Sequence, residues 1–285
     1  MANDKTIKQA VKEHYAALIT KSGMERADCG CAPSASSVQN YEAAHSCCAP
    51  AGTPEMSYAE KLGYHKTELA EIPREAVENT FGCGAPLEQV AMKEGDVVLD
   101  LGSGAGLDVL IASRKVGQSG KVIGIDMTPE MIQKAEENAR KAGVNNVEFR
   151  LGEMENMPVE DDSVDWIISN CVINLSPDKP RVFREAFRVL KPSGKMVISD
   201  MVAEGLSQEV RSNLAWWAGC VGGALSEPDY LRAIQEAGFR EVKVLSRFEL
   251  SREIVAAAEA QLPNQTRITF DDTARIASIK VQAVK

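Results

Sequence analysis

Val97-Val98-Leu99-Asp100-Leu101-Gly102-Ser103-Gly104-Ala105-Gly106 is the stretch on which the fold is read. Five apolar-rich residues, 97–101, have the length and composition of a buried strand, and the glycines after them form a tight turn. A helical pattern follows over 106–116, and a second strand over 121–126 ends in Asp126, twenty-four residues after Gly102. A glycine turn at a strand's C-terminal end lets a ligand approach the backbone. An acidic side chain at the end of the next strand can grip a ribose diol. Outward from there the alternation continues. Strands are predicted at 147–151, 165–170 and 195–200, with helices at 129–142 and 178–190 and a turn at Lys191-Pro192-Ser193-Gly194. Thr128-Pro129 is a suitable helix start. Nearly continuous apolar strands between helices predict a mostly parallel sheet covered on both faces.

The flanks differ in character. Ile7, Val11, Tyr15, Leu18 and Ile19 share one face of a predicted helix over 5–22, which Gly23 stops. Residues 25–57 are rich in Ala, Ser, Pro, Gly and Cys and read as a loop or linker. A helix-rich piece spans 206–238, and 241–250 and 277–284 read as closing strands. The expected organisation is an N-terminal helix (1–24), a cysteine-rich flexible segment (25–71), a ligand-binding α/β domain (72–205), and a closing α+β extension (206–285). No internal repeat is found.

The chain has 285 residues, with 41 acidic against 32 basic side chains and a net charge of −9. That balance argues against holding nucleic acid through its phosphates. No window offers the roughly 18 uninterrupted apolar residues of a membrane helix, and the N-terminus lacks an apolar signal core. A cytoplasmic protein without membrane or nucleic-acid partners is expected. Seven cysteines are too few and too scattered for a secreted disulfide scaffold.

The glycine spacing is G-x-G-x-G. Asp-Leu-Gly-Ser-Gly resembles the first motif of the S-adenosylmethionine-dependent methyltransferases of Rossmann-like, class I fold. The resemblance implies that Gly102 and Gly104 face the methionine part of the cofactor and that Asp126 takes the ribose hydroxyls. It places Gly152-Glu153-Met154-Glu155 at the adenine.

The cysteines add a second pattern. Cys171 directly follows the fourth strand, at the mouth where open parallel sheets bind ligands. Cys83 stands in Phe81-Gly82-Cys83-Gly84, and Cys220 in Gly219-Cys220-Val221-Gly222-Gly223. Glycines beside them let the backbone fold closely around a bound atom. Three thiols converging beside a methyl donor would suit a soft centre. Zinc usually wants four ligands, or three and a water. Trivalent arsenic wants three sulfurs and keeps a lone pair, which can attack an electrophilic methyl at about 3–3.5 Å without a general base. For any one of the three taken alone, a buried small hydrophobe is the competing reading.

The blocks Phe81-Gly82-Cys83-Gly84, Gly124-Ile125-Asp126-Met127-Thr128, Ser169-Asn170-Cys171-Val172-Ile173-Asn174-Leu175-Ser176-Pro177-Asp178-Lys179 and Gly219-Cys220-Val221-Gly222-Gly223-Ala224-Leu225 make residues 72–240 resemble the arsenite methyltransferases of microbial type. The resemblance implies methylation of arsenite to mono- and dimethylated arsenicals, for arsenic detoxification, at Cys83, Cys171 and Cys220. It implies a cofactor set of Phe81, Asp100, Gly102, Gly104, Asp126, Met127, Glu153, Met154 and Asn170. Partners would be trivalent arsenic as a thiol adduct and a thiol reductant, glutathione or thioredoxin. No structural metal is expected, and the protein would be a monomer. Family members use a further N-terminal cysteine in a disulfide relay; here Cys29, Cys31, Cys47 and Cys48 all offer themselves, with Cys47 and Cys48 the leading pair. With His45 these four could instead hold zinc, or form a dispensable tail.

Two other function classes stay open at this stage. One is carbon methylation of a quinone-like or other small metabolite, which needs a base and an apolar pocket but no thiol trio. The other is an arsenite-binding buffer or sensor, which needs no methyl donor. Trp216 and Trp217 could cover the thiol site or simply pack. His14 and His65 read as solvated, and Glu160-Asp161-Asp162 as an exposed turn.

Overall fold

The computed structural model describes residues 3–21, 56–251 and 274–285. Cys29, Cys31, Cys47, Cys48 and His45 lie outside the described residues.

Seven strands form one sheet: β1 (Val97–Leu101), β2 (Lys121–Asp126), β3 (Val147–Leu151), β4 (Val164–Asn170), β5 (Leu190–Glu204), β6 (Arg240–Glu249) and β7 (Arg275–Val284). Their order is β3-β2-β1-β4-β5-β7-β6. The first five are parallel. β7 runs antiparallel between β5 and β6. Strands β1 and β4 are neighbours, yet the chain leaves β1 on one side and enters β4 from the other. Their C-terminal ends therefore flank the switch point where an open α/β sheet has its ligand crevice.

Alternation along each strand feeds two cores. Leu99, Leu101, Ile125 and Ile167 face Phe183 of α7 (Lys179–Val189) and Tyr230 of α10 (Glu227–Glu236). Val98, Val122, Ile168 and Val197 face Val109 and Leu110 of α5 (Leu107–Val116). Thr128 precedes α6 (Pro129–Ala142) with proline at its first turn, and Gly143 ends it at φ 67°.

The structure departs from the sequence reading at identifiable places. Residues 191–194 do turn, but as an excursion within one long strand: Val164 pairs with Leu190 and Trp166 with Lys195. Ser193 sits there at φ 66°. Beyond 200, β5 continues to Glu204 because β7 offers it a partner along its whole length. A division at residue 205 consequently does not separate two units, since β6 and β7 belong to the same sheet as β1–β5. Nor is the whole of 25–71 a flexible segment. Short helices α2 (Tyr58–Lys61), α3 (Lys66–Leu69) and α4 (Arg74–Glu78) fold over the α5 face and bury Ala59, Tyr64 and Leu69 there. The N-terminal helix α1 spans Asp4–Lys21 and buries Ile7, Val11 and Ile19. His14 on it is half-buried, edge-on to Tyr15, and its pKa is lowered by burial, against the solvated expectation. His65 and the turn 160–162 are exposed, as read. Among the described residues no helix is long and apolar enough to cross a membrane.

Candidate active site

A deep cleft opens over the C-terminal ends of β1, β2 and β4, and its walls include Asp100, Gly102, Gly104, Asp126, Met127, Glu153, Met154, Phe81, Asn170 and Cys171. The glycines have distinct reasons to be there. Gly102 lies at φ 68°, and a Cβ on it would stand 2.3 Å from Val172 Cγ2. Gly104 lies at φ 51° with nothing within 4 Å of such a Cβ. It is an open cradle that a side chain would fill.

Asp126 is oriented by the backbone. Its Oδ2 accepts from the Gly104 N–H at 3.0 Å and its Oδ1 from the Thr128 N–H at 2.8 Å. Each oxygen keeps a lone pair for a ligand. Burial raises the carboxyl groups around it. Asp126 is raised by desolvation, and Asp100 is pushed well above its ordinary range by burial and by the neighbouring Asp108 and Asp126. Asp108 is pushed up to about 6 by burial, although Tyr64 Oη donates to both its oxygens at 2.8 and 2.9 Å. Two buried carboxyls, Asp100 and Asp108, and the half-buried Asp126, none with a lysine or arginine ion-pair partner among the described residues, make a cation-seeking wall. A sulfonium with an attached ammonium fits that wall, and a ribose diol fits the free lone pairs of Asp126.

Beside this cleft stand the thiols. Cys171 begins where β4 ends, at φ 60°, and Cys220 follows α9 (Leu214–Ala218) at φ 63°. Left-handed backbone at two cysteines costs of order 1–3 kcal/mol each and persists only where the surroundings enforce it. Here the Cys171 N–H donates to Ser199 O at 2.7 Å, and Cys220 Sγ donates to Cys171 O at 2.8 Å. Cys83, Cys171 and Cys220 pack in one cluster, which brings the Cys171 thiol near those of Cys220 and Cys83. Those two neighbours, Cys220 first, hold its pKa well above the usual thiol range, with burial adding to them. Cys83 is raised mainly by burial. The trio is free of disulfides, and as it stands no group of three His, Cys, Asp or Glu among the described residues has the geometry to hold a metal ion.

Asn170 corrects one expectation. It lines the cleft, but its amide is already engaged: Oδ1 accepts from the Cys83 N–H at 3.0 Å, and Nδ2 donates to Tyr64 Oη at 2.9 Å and Gly84 O at 2.6 Å. Its polar atoms hold the Phe81–Gly84 loop rather than facing a cofactor. Gly82 must be glycine for this, since a Cβ would stand 2.3 Å from Asn170 Nδ2. Ser278 Oγ on β7 donates to Cys83 O at 3.0 Å and fixes the loop from the other side. Asn170→Ala removes three hydrogen bonds at about 1 kcal/mol each. We expect about 2–4 kcal/mol lower stability in chemical denaturation and faster alkylation of Cys83. Unchanged alkylation would remove Asn170 from the loop's support.

Glu153 and Glu155, both in the cleft wall, differ in exposure. The Glu153 side chain is exposed and ion-paired to Lys8 at 2.7 Å, whereas the buried Glu155 accepts from Ser176 Oγ at 2.6 Å and pairs with Lys8 at 3.0 Å. Sequence reasoning missed Lys8, Tyr15 and Ser176. Lys8, on the outer edge of α1, carries no motif. Tyr15 was assigned to the apolar face of α1, where nothing marked its hydroxyl as polar. Trp216 is buried against Cys171 and Cys220, while Trp217 Nε1 donates to Leu175 O at 3.1 Å. Both tryptophans thus pack, and they do so beside the thiols. Below them Lys179, 5% exposed, donates to Asn174 O and Ser176 O at 3.2 and 2.9 Å. Burial lowers its pKa to about 8.

Comparison with known proteins follows the same geometry. Residues 92–238 match the family model described as "Methyltransferase domain". An arsenite methyltransferase of Halobacterium salinarum is 45% identical over 207 residues, covering 72% of this chain and 52% of that protein. The human arsenite methyltransferase is 38% identical over 181 residues, covering 60% and 48%. The chain thus spans about half the length of these relatives. Among solved structures, an arsenic(III) S-adenosylmethionine methyltransferase from Chlamydomonas reinhardtii matches with TM-score 0.65 and 38% identity, over 77% of this chain and 73% of that one. The YcgJ protein of Bacillus subtilis shares the fold at TM-score 0.55 and 22% identity. With its strand order, glycine turn and matched segment together, the chain belongs to the Rossmann-like methyltransferase-domain family, and its similarity within that family is to arsenite methyltransferases.

Proposed function

We propose that this protein transfers methyl groups from S-adenosylmethionine to trivalent arsenic held by Cys83, Cys171 and Cys220, yielding mono- and dimethylated arsenicals in the cytoplasm for detoxification. The observation that carries the reading is the packing of Cys83, Cys171 and Cys220 into one cluster, with Cys171 also lining the donor cleft. S-adenosylmethionine supplies an electrophilic sulfonium methyl. Asp126 would hold its ribose and Asp100 and Asp108 would face its positive charge. Gly102 and Gly104 keep the backbone low enough for close approach.

The three thiols would exchange with the oxygens or thiols on arsenite, forming three As–S bonds and releasing water or free thiol. Burial of Cys171 and Cys220, with Trp216 packed beside them, would exclude solvent from the bound centre. The arsenic lone pair then forms the As–C bond as the S–CH3 bond breaks, and S-adenosylhomocysteine leaves neutral. No side chain has to remove a proton. Carbon methylation would need a base at the transfer point, where this cleft presents thiols. Arsenic is formally oxidised by two electrons in the transfer. A dithiol, Cys47 with Cys48 or another N-terminal pair, would return them by closing to a disulfide, and glutathione or thioredoxin would reduce it.

The test is to incubate the protein with arsenite, glutathione and methyl-labelled S-adenosylmethionine and to identify the arsenic species. Labelled mono- and dimethylarsenicals are expected; transfer of label to a quinone-like acceptor instead would refute the reading.

Two further outcomes follow from the donor wall. Asp126→Ala should weaken donor binding about ten- to a hundredfold in calorimetry, since each charge-assisted hydrogen bond contributes about 1.5–3 kcal/mol. Arsenite binding should stay within about twofold of wild type. The second outcome concerns pH. A carboxyl with a raised pKa is neutral below it and charged above it. Donor affinity should therefore rise as pH increases through about 6, where Asp108 ionises. A flat profile between pH 5 and 8 would take Asp108 out of charge recognition.

A further inference from the structure

Helix α1 precedes the matched 92–238 segment, yet it lies across both halves of the site. Ile7 and Val11 pack in the cluster of Cys171, Leu175 and Cys220, and Ile19 packs with Ala105 and Met131 beside the glycine turn. Tyr15 belongs to both clusters. Its ring stands edge-on to Phe81, with centroids 5.7 Å apart, and lines the donor cleft. Its hydroxyl donates to Ala218 O at 3.2 Å and lies 4.0 Å from Cys220 Sγ. At the other end of the helix, Lys8 bridges Glu153 and Glu155, and Glu155 is tied to Ser176 in the turn after Cys171.

The chemistry of Cys220 gives the hydroxyl a use. As a thiol, Cys220 donates to Cys171 O. Once its sulfur is bonded to a soft centre it has no proton to donate and becomes an acceptor. Tyr15 Oη is the donor already within reach, and it needs only to turn from Ala218 O toward the sulfur.

We infer that Tyr15 is a positioning residue shared by the donor cleft and the thiol site, and that through it α1 links occupancy of the one to closure of the other. The inference rests on the functional reading above for the identity of the two ligands. A filled donor cleft presses on the Tyr15 and Phe81 rings and favours docked α1. Docked α1 holds the hydroxyl at Cys220. By reciprocity each ligand then strengthens binding of the other.

The test uses the full chain, with S-adenosylhomocysteine and arsenite titrated separately and together. Tryptophan fluorescence reads arsenite and calorimetry reads the nucleoside. In the wild type, the nucleoside should tighten arsenite binding about three- to tenfold. Tyr15→Phe keeps the ring: nucleoside affinity should hold within about twofold while arsenite affinity falls about five- to tenfold. Tyr15→Ala should abolish the linkage, leaving the same arsenite affinity with and without nucleoside. A third arm needs no arsenite. Alkylation of Cys220 by iodoacetamide, followed by peptide mass spectrometry, should slow when the nucleoside is bound, and Tyr15→Ala should remove that protection. Variants matching wild type in arsenite affinity, linkage and protection overturn the inference. Nucleoside-dependent protection of Cys220 in a protein that does not bind arsenite supports the linkage and instead overturns the functional reading.

Discussion

Cys171→Ser should reduce methylation of arsenite, and of monomethylated arsenic, by at least about a thousandfold. Serine is nearly isosteric with cysteine, so the left-handed backbone at φ 60° and the bond to Ser199 O should survive and the variant should fold. What changes is the ligand atom. A hydroxyl is hard and, at neutral pH, keeps its proton, and trivalent arsenic is soft. Cys171 is the thiol of the cluster that also lines the donor cleft, so its loss leaves only Cys83 and Cys220, two ligands where trivalent arsenic wants three. Donor affinity should hold within about threefold in calorimetry. Near-normal turnover with intact donor binding would refute a three-thiol acceptor site.

Gly102→Ala should damage everything at once. The added Cβ would stand 2.3 Å from Val172 Cγ2 and 2.8 Å from Val172 Cβ, and the backbone there, at φ 68°, suits an L side chain poorly. Overpacking costs about 1–3 kcal/mol, with the backbone penalty added. We expect about 2–4 kcal/mol lower stability. Because Val172 is the immediate neighbour of Cys171, relief of the clash must move the thiol site as well as the donor turn. Both donor and arsenite affinities should fall by about a hundredfold or more. Gly104→Ala is the control. Its Cβ meets nothing within 4 Å and points into the open cradle. That variant should lose donor affinity while arsenite binding holds within about threefold. Equal behaviour of the two alanine variants in both titrations would show that the wedge against Val172 does not matter.

Much of this was legible in the sequence, for physical reasons. Buried parallel strands are continuous apolar runs, so β1 and β2 were read with the bounds they have; β3, at the sheet edge, was read with its bounds from the alternation in Val-Glu-Phe-Arg-Leu. The glycine turn and Asp126 are local in sequence and are held together by a local bond, Gly104 N–H to Asp126. What escaped depends on pairing over long separations. The extension of β5 to Glu204 reflects β7, which is some eighty residues away and leaves no periodic mark on 201–204. Asn170 was placed with the cofactor by the family resemblance alone. Its true partners, Tyr64, Cys83 and Gly84, come from a loop about ninety residues earlier. The engagement of α1 was hidden for the same reason: an amphipathic stripe says that a helix is covered, but not by what.

The insertion of β7 between β5 and β6 also has a consequence for biosynthesis. Of the described strands, β7 leaves the ribosome last, yet it is the one that caps the edge of β5 and fixes the Cys83 loop through Ser278. Until it arrives, a nascent chain carries a ten-residue strand edge, Lys195 to Glu204, with unpaired amides and carbonyls. Such an edge invites pairing with other chains. In the same interval Cys83 lacks its anchor on β7, so the thiol trio is assembled only after β7 has emerged. A ribosome stalled within 251–274 should expose a protein that aggregates and captures soft metal ions poorly, while its donor turn, built from β1 and β2, is already in place.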